Sequence, residues 1–406
     1  MTGRWVGIWA AAPQPTEAPD LPPPPFTRDG LVLPGSTLRQ TIRVSAGAQR
    51  VRLRLSNAFG GTELSVAGVC LARPSGGQAG VSSIEPGTSR AVTFAGRPGV
   101  AVPAGAQAVS DPLDFPLAAA ANVTVTTYLA AGQRASGGIT SHPGSRTTSF
   151  LIPGDHVAGQ QLAGAVPVDH WYFLGALEAC AGPATGAVVI LGDSLTDGRG
   201  STTNGNDRWP DQLLDLLRSR GDGAGIAVLN QGIGGNRVLR DGAGPGVLGR
   251  LDRDALAVSG VKCLVVFAGV NDIGVADATG AAQRQVAADL CAAYERIAAK
   301  AHAAGIGAYG ATLTPFGGSE PYDDPAGHRE AARQAVNAWI RDGRGFDAVL
   351  DFDQAVRDPR SPRRLSAAVD SGDHLHLNPA GYRALANAVP AGSFLPHSNL
   401  KDSPPA

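Results

Sequence analysis

The chain has 406 residues, of which 43% are hydrophobic and 17% charged, with a formal net charge of -1 at pH 7. This length exceeds the size at which one hydrophobic core stops growing, so we expect two domains. The balanced charge offers no basic face for a phosphate backbone, which argues against nucleic acid as a partner, and no apolar run is long enough to span a bilayer.

The four cysteines, Cys70, Cys180, Cys263 and Cys291, are not spaced as metal ligands. None forms a C-x-x-C pair, and no histidines lie at zinc spacing from them. We therefore expect no metal site and no cofactor. The spacing leaves open whether any of them pair.

The N-terminal segment MTGRWVGIWAAAPQP has one arginine, a short apolar stretch and three alanines, as a small signal peptide would. Its two tryptophans and the prolines that follow favour the first strand of the folded protein instead. As the sequence stands we expect a cytoplasmic protein, and a secreted one if a longer natural precursor was trimmed.

Residues 1–180 show alternating apolar and polar runs with almost no helical periodicity. In QRVRLRLSN, the apolar Val51, Leu53 and Leu55 alternate with arginines. Other strand candidates, separated by Gly/Pro clusters, are TLRQTIRVSA, NVTVTTYLA, RTTSFLI and WYFLGALEA. Many short strands with such turns predict an all-β sandwich.

The Gly- and Pro-containing residues 181–187 are the predicted linker, and the pattern changes after them. In residues 188–396, the apolar runs AVVILG, IAVLNQG, VKCLVVFAG, IGAYGATLTPF and AVLDFD alternate with helical patterns such as DRWPDQLLDLLRSRG and NPAGYRALANAV. This alternation predicts an α/β domain with a parallel sheet covered on both faces. Residues 397–406 are polar and Pro-rich, and we expect a flexible tail.

Polar clusters follow the strands of this predicted sheet. Ser194 follows the first strand in GDSLTDG, the loop NQGIGGN follows the second, and Asn271 follows the third. Asp373 and His376 lie in the last loop, just before a helix. Because the carboxyl ends of parallel strands meet at one edge of the sheet, we expect these groups to lie together.

These residue types are the ones that acyl transfer requires. A serine hydroxyl needs a base to take its proton, and a histidine held in one tautomer by a carboxylate suits that task at neutral pH. Asp373 and His376, three residues apart, can pair locally. Backbone N–H groups of Ser194 and of a loop glycine, with the Asn271 amide, would stabilise the oxyanion.

GDSLTDG, NQGIGGN, GVND and DHLH resemble, in order and spacing, the signature blocks of the SGNH superfamily of GDSL esterases and lipases, over residues 187 to about 390. The resemblance implies a three-layer domain with flavodoxin-like strand order. It implies Ser194 as nucleophile, His376 as base and Asp373 as its partner. It also implies Ser194, Asn271 and Gly235, the glycine before a polar residue, as oxyanion donors. RWVGIWAAAP and VRLRLSNAFG resemble the jelly-roll domain that precedes some bacterial and fungal members.

Several of these residues also have ordinary structural interpretations. Ser194 fits a turn, Asn271 with Asp272 fits a helix cap, and Gly234 and Gly235 fit positive backbone φ angles.

The remaining polar and aromatic candidates favour structural roles. We expect His374 to be structural because side chains adjacent on a loop diverge, and we expect surface roles for His302 on a helix and His328 on a loop. Three tryptophans fit a sugar-stacking platform but favour core packing; they are Trp5, Trp9 and Trp171. Asp351 and Asp353 fit a glycosidase pair, but strand-end acids are commonly caps.

We expect a serine esterase that works through an acyl-enzyme on a small-molecule or carbohydrate ester. The connections NRVLRDGAGPGVLGR and TPFGGSEPYDDPAGH, which we expect to be mobile, form no long apolar tunnel by composition. This favours acetyl esters of sugars or small alcohols. The alternatives are a longer-chain lipase or thioesterase with the same machinery, and a carbohydrate-binding protein with a vestigial hydrolase domain. The sequence leaves the oligomeric state open.

Overall fold

The computed structural model describes residues 3–182, 185–221, 223 and 225–394, so the predicted tail and positions 183–184 of the predicted linker lie outside the described residues. The first part of the chain is antiparallel. Its strands are β1 (Arg4–Ala10), β2 (Gln14–Pro15), β3 (Thr27–Arg28), β4 (Leu31–Val32), β5 (Ser36–Arg43), β6 (Ala48–Ser56), β7 (Leu64–Val66), β8 (Gly68–Ala72), β9 (Arg90–Ala91), β10 (Val100–Val102), β11 (Gln107–Val109), β12 (Leu113–Leu117), β13 (Asn122–Leu129), β14 (Gln133–Arg134), β15 (Thr140–His142), β16 (Ser149–Pro153), β17 (Val166–Val168), β18 (Trp171–Tyr172) and β19 (Leu174–Ala181).

Two larger sheets form a β-sandwich, as predicted. One has the order β1-β19-β6-β11, with β12 also paired to β6, and the other has the order β17-β16-β5-β13-β8-β9. Along β6, Val51, Leu53 and Leu55 are 0% exposed, whereas Arg52 and Arg54 between them are partly exposed. The period of two places one face of the strand in the core.

The second part of the chain alternates strands and helices. Its elements are β20 (Gly186–Gly192), α1 (Ser194–Asp197), α2 (Trp209–Arg220), β21 (Ile226–Gly232), α3 (Val247–Leu251), β22 (Val261–Phe267), α4 (Val270–Val275), α5 (Gly280–Ala303), β23 (Gly307–Ala311), α6 (His328–Arg341), β24 (Ala348–Leu350), α7 (Phe352–Val356) and α8 (Pro379–Asn387). The strands pair in parallel in the order β21-β20-β22-β23-β24.

This order, second-first-third-fourth-fifth from β20 onward, is flavodoxin-like, and the prediction of a three-layer α/β domain is confirmed. Helix α8 contacts α2 and α7, while α5 contacts α3, α4 and α6, which gives a helical layer on each face. The chain turns to opposite sides of β20, so a crevice opens at the carboxyl ends of β20 and its neighbours. Within the described part of the chain, no helix is long and apolar enough to cross a membrane.

Helix α2 illustrates what the sequence pattern predicts well. Pro210 lies in its first turn, and Gly221, with φ +77°, ends it. Its buried apolar face includes Leu213, Leu214 and Leu217, whereas Leu216 is only partly buried.

Helix α6 was missed because its N-terminus lies in a Gly/Pro-rich segment. His328, expected on a loop, is the first residue of this helix. Its N–H and that of Arg329 donate to the carboxylate of Asp324, at 2.9 Å each. The capping side chain, Asp324, therefore lies four residues before the helix, inside the Gly/Pro-rich segment.

The antiparallel and parallel parts pack against each other. Strand β1 contacts β20 and β21, and the Gly7 N–H donates to the Ser259 carbonyl at 2.8 Å. Arg43 pairs with Asp215 on α2 at 2.6 Å, and the guanidinium of Arg253 lies over the ring of Phe59 at 5.0 Å. The contacts join the sandwich to the amino-terminal half of the parallel domain.

Candidate active site

Ser194 lies at the carboxyl edge of the parallel sheet, directly after β20. Asp193 caps α1, and its Oδ1 accepts a hydrogen bond from the Leu195 N–H at 3.0 Å. Gly198, with φ +98°, ends this short helix. The turn interpretation explains Asp193, but the Ser194 hydroxyl takes no part in the turn.

The structure brings Ser194, His376 and Asp373 together in a line. Ser194 Oγ and His376 Nε2 are 2.8 Å apart, and His376 Nδ1 and Asp373 Oδ2 are 2.6 Å apart. An ionised carboxylate can only accept, so Nδ1 carries the proton and Nε2 accepts from the serine hydroxyl. This is the tautomer that a general base needs.

The loop itself aims the carboxylate at the ring. Asp373 Oδ1 accepts from the backbone N–H groups of Leu375 and His376, at 3.1 and 2.8 Å, and this local turn places Oδ2 beside the imidazole. His374, with φ +60°, points elsewhere and pairs with Asp370 at 2.6 Å. The two histidines of the loop therefore have separate carboxylate partners.

The ionisation of this pair favours a neutral, proton-accepting histidine. Burial lowers the pKa of His376, Asp373 opposes that shift, and the positive charges of Arg199 and Arg146 add to it. Partial burial by itself raises the pKa of Asp373, but hydrogen bonds from the backbone and ring of His376 hold it well below its usual range.

The glycine-rich loop after β21 lies against α1. The Gly234 N–H donates to Asp197 Oδ2 at 3.0 Å, so it is already used. Gly235 has φ +69°, a left-handed conformation that favours glycine. Within the described residues, the N–H groups of Ser194 and Gly235 donate no hydrogen bond. Of the two adjacent glycines, Gly235 has the free donor.

Asn271 is held by two hydrogen bonds and does not cap α4, whose N-cap is Gly269. Its Nδ2 donates to the Asn236 carbonyl at 2.8 Å, and its Oδ1 accepts from the Tyr322 hydroxyl at 2.6 Å. One Nδ2 hydrogen remains available. Sequence reasoning missed Tyr322, which lies in a connection that we expected to be mobile.

A buried arginine supports the floor of the site. Arg250 is 0% exposed and donates to the carbonyls of Gly192 and Gln231 at 3.0 and 2.7 Å, which joins the ends of β20 and β21. It also donates to Asn236 Oδ1 at 3.1 Å. Burial raises the pKa of the neighbouring Asp193 to about 7, and nearby carboxylates such as Asp272 contribute.

A histidine of the sandwich contacts the segment that carries Ser194. His142 Nδ1 lies 3.0 Å from the Ala12 carbonyl, so Nδ1 carries a proton, and Nε2 lies 2.9 Å from Asp197 Oδ1. The two side chains are 4% and 3% exposed, so the contact between them is buried. Because Asp197 Oδ2 also accepts from Gly234, one carboxylate joins the sandwich, α1 and the glycine loop.

We expect His142→Leu to lower the free energy of unfolding by about 3–5 kcal/mol, because it leaves a buried carboxylate without its partner. His302→Leu is the matched control. His302 pairs with Asp347 at the same 2.9 Å distance but is 43% exposed, and such a pair contributes at most about 1 kcal/mol. Urea unfolding, followed by tryptophan fluorescence, measures the free energy of unfolding of both variants. Equal small losses for the two variants would contradict the stabilising role of the buried pair.

The other candidates have structural partners. Trp9 and Trp171 are 6% and 2% exposed and pack edge to face with their rings 5.1 Å apart, whereas the guanidinium of Arg52 covers Trp5. The core interpretation is therefore correct for Trp9 and Trp171.

The strand-end acids also have ordinary partners. Asp351 caps α7 and pairs with Arg341 at 2.8 Å. Asp353 is fully buried and pairs with Arg333 at 2.6 Å. Both carboxylates are engaged by arginines, which does not favour a glycosidase pair.

A doubly wound α/β domain with a serine, a histidine and an aspartate aligned at its carboxyl edge has the architecture of a hydrolase. Residues 190–384 match the GDSL-like Lipase/Acylhydrolase family, and the match identifies them as a domain of that family. This confirms the resemblance predicted from GDSLTDG and the blocks that follow it. The family places the chain among hydrolases.

Solved structures with likeness to half of the chain include three bacterial proteins. A protein of the G-D-S-L family from Desulfitobacterium hafniense is 19% identical over 50% of this chain and 96% of its own, with a TM-score of 0.37. An acetylxylan esterase from Geobacillus stearothermophilus is 20% identical over 50% of this chain and 93% of its own, with a TM-score of 0.37. A GDSL-like lipase from Bacteroides thetaiotaomicron is 16% identical over 50% of this chain and 84% of its own, with a TM-score of 0.35. None of the curated proteins compared with the chain matches it.

Proposed function

We propose that the protein is a serine esterase that cleaves short-chain carboxylic esters through an acyl-enzyme. In this mechanism Ser194 Oγ attacks the ester carbonyl while His376 Nε2 takes its proton and then returns it to the departing alcohol. Asp373 orients the ring and stabilises the imidazolium that forms. Water then attacks the acyl-enzyme with the same base.

The observation that carries the proposal is the continuous hydrogen-bonded line from Ser194 Oγ to His376 at 2.8 Å and on to Asp373 at 2.6 Å. The free N–H groups of Ser194 and Gly235 and the Asn271 amide would receive the oxyanion. Each such donor is typically worth about 2.7–4 kcal/mol of barrier.

The preference for a short acyl group, such as the acetyl ester of a sugar or small alcohol, is supported by the surroundings of the base. Arg199 and Arg146 carry positive charges that act on His376. An alkyl chain directed towards them would displace their water of hydration, which is costly. An acetyl group needs no such contact.

Hydrolysis of p-nitrophenyl acetate, butyrate, octanoate and palmitate tests this preference. We expect kcat/KM to be highest for acetate and to fall as the acyl chain lengthens, with acetate release from acetylated sugars as the next assay. Ser194→Ala provides the blank for each ester. A maximum at palmitate would instead indicate a lipase. Tight polysaccharide binding without cleavage of any ester would indicate a carbohydrate-binding protein.

A further inference from the structure

Two arginines near Ser194 have no acidic partner among the described residues. The side chains of Arg146 and Arg199 form no hydrogen bond or ion pair with any described residue, and Arg146 Nε is buried without a partner. The buried arginines of this region are paired instead, Arg208 with Asp211 and Arg250 with Asp254. An unpaired cation that has lost part of its water is costly to maintain, and such groups cluster at binding sites.

Arg146 belongs to the sandwich, in the loop between β15 and β16, and the loop is fixed against the catalytic part. Its carbonyl accepts from the Asn204 N–H at 2.9 Å. A Cβ on Gly144, two residues earlier, would collide with Asp197 Oδ2, so this backbone touches the end of α1. Arg146 itself has φ +51°, a conformation that is unfavourable for a non-glycine residue and persists only where the surroundings impose it.

Arg199 belongs to the catalytic part and lies just after α1. Its N–H donates to the Ser194 carbonyl at 2.9 Å, and its own carbonyl accepts from the Tyr382 hydroxyl at 2.5 Å. The residue is exposed, so its guanidinium is free to meet a ligand at the rim of the site.

The charges of both arginines reach the reacting groups. Together they help to lower the pKa of His376, and Arg146 also acts on the phenol of Tyr382. The nearby carboxylates already have partners, since Asp197 pairs with His142 and Asp373 with His376. The site therefore has excess positive charge near the base.

We propose that Arg146 and Arg199 form an anion-binding subsite beside Ser194, and that the preferred substrates are esters that carry a carboxylate near the ester bond. The proposal rests on the proposed esterase function and adds the class of substrate to it. A guanidinium binds a carboxylate through two parallel hydrogen bonds, which would orient the substrate as well as attract it.

A pair of acetate esters that differ only in charge tests the proposal: 4-acetoxybenzoate and its neutral amide, 4-acetoxybenzamide. We expect kcat/KM to be about tenfold or more higher for the benzoate, the value of a charge-assisted hydrogen bond. Arg146→Gln and Arg199→Gln should each reduce this ratio, and Arg146→Lys should keep part of it. Arg28→Gln, at an exposed position of the sandwich, is the control that leaves the ratio unchanged.

Binding to the Ser194→Ala protein separates this proposal from the esterase proposal. Calorimetry should show tighter binding of the benzoate than of the amide, with the difference lost in Ser194→Ala/Arg146→Gln. Equal affinities, or a ratio that the arginine variants leave intact, would overturn the anion subsite even if both esters are cleaved. Charge-selective binding without hydrolysis by the unmodified protein would support the subsite and overturn the esterase function.

Discussion

Replacement of Ser194 by alanine is expected to lower kcat for p-nitrophenyl acetate by about 10⁴- to 10⁶-fold, the loss that follows removal of a serine nucleophile. No other hydroxyl among the described residues contacts His376 Nε2, so the acyl-enzyme cannot form by the same route. The measurement is the initial rate at saturating ester, with the unfolding midpoint recorded for the same preparation.

Ser219→Ala is the matched control, because Ser219 lies at the exposed end of α2 and its hydroxyl donates to the Leu216 carbonyl of the same helix. We expect no change in its kcat. If Ser194→Ala retained more than a tenth of the activity while folding normally, Ser194 would not be the nucleophile.

Replacement of Asp373 by asparagine is expected to lower kcat by about 10⁴-fold, because an amide at this position no longer selects the tautomer in which Nδ1 donates. The pH profile provides a second measurement. Since burial lowers the pKa of His376, the activity of the unmodified protein should rise with pH through an apparent pKa below 6.5. Asp373 opposes that shift, so the residual activity of the variant should have its midpoint at still lower pH.

Asp370→Asn gives a close control in the same loop. Asp370 pairs with His374 at 2.6 Å, the same distance as the pair of Asp373 and His376, but His374 does not contact Ser194. We expect its kcat to stay within a few-fold of the unmodified protein. A similar large loss in both variants would mean that the loop needs both carboxylates for its shape, and that the loss reports no specific role of Asp373.

The strands and the pair of Asp373 and His376 could be predicted from sequence because the patterns that indicate them are local. The apolar run of β21 coincides with the observed Ile226–Gly232, and Asp373 reaches His376 within a single turn. The place of Gly235 came from the resemblance, and its free N–H and positive φ are observations that support it.

The long-range partners could not be predicted in this way. Asp197 lies inside the motif GDSLTDG, yet its partner His142 lies 55 residues earlier in the short strand β15, where a histidine carries no distinctive signal. Arg250 lies in the short helix α3, whose sequence shows no evident periodicity, and only the folded chain brings it beneath β20 and β21. The unpaired state of Arg146 is likewise a property of the assembled structure.

The contact between His142 and Asp197 also bears on how such a protein can be recombined. A gene fragment that encodes only residues 185–394 would carry the candidate catalytic groups, but it would expose a carboxylate that the sandwich normally covers. Exchange of the front half by domain shuffling would succeed only with a donor that brings a base to this position. The hydrolase half is thus poorly suited to transfer without the sandwich, and the two halves are expected to be inherited as one unit.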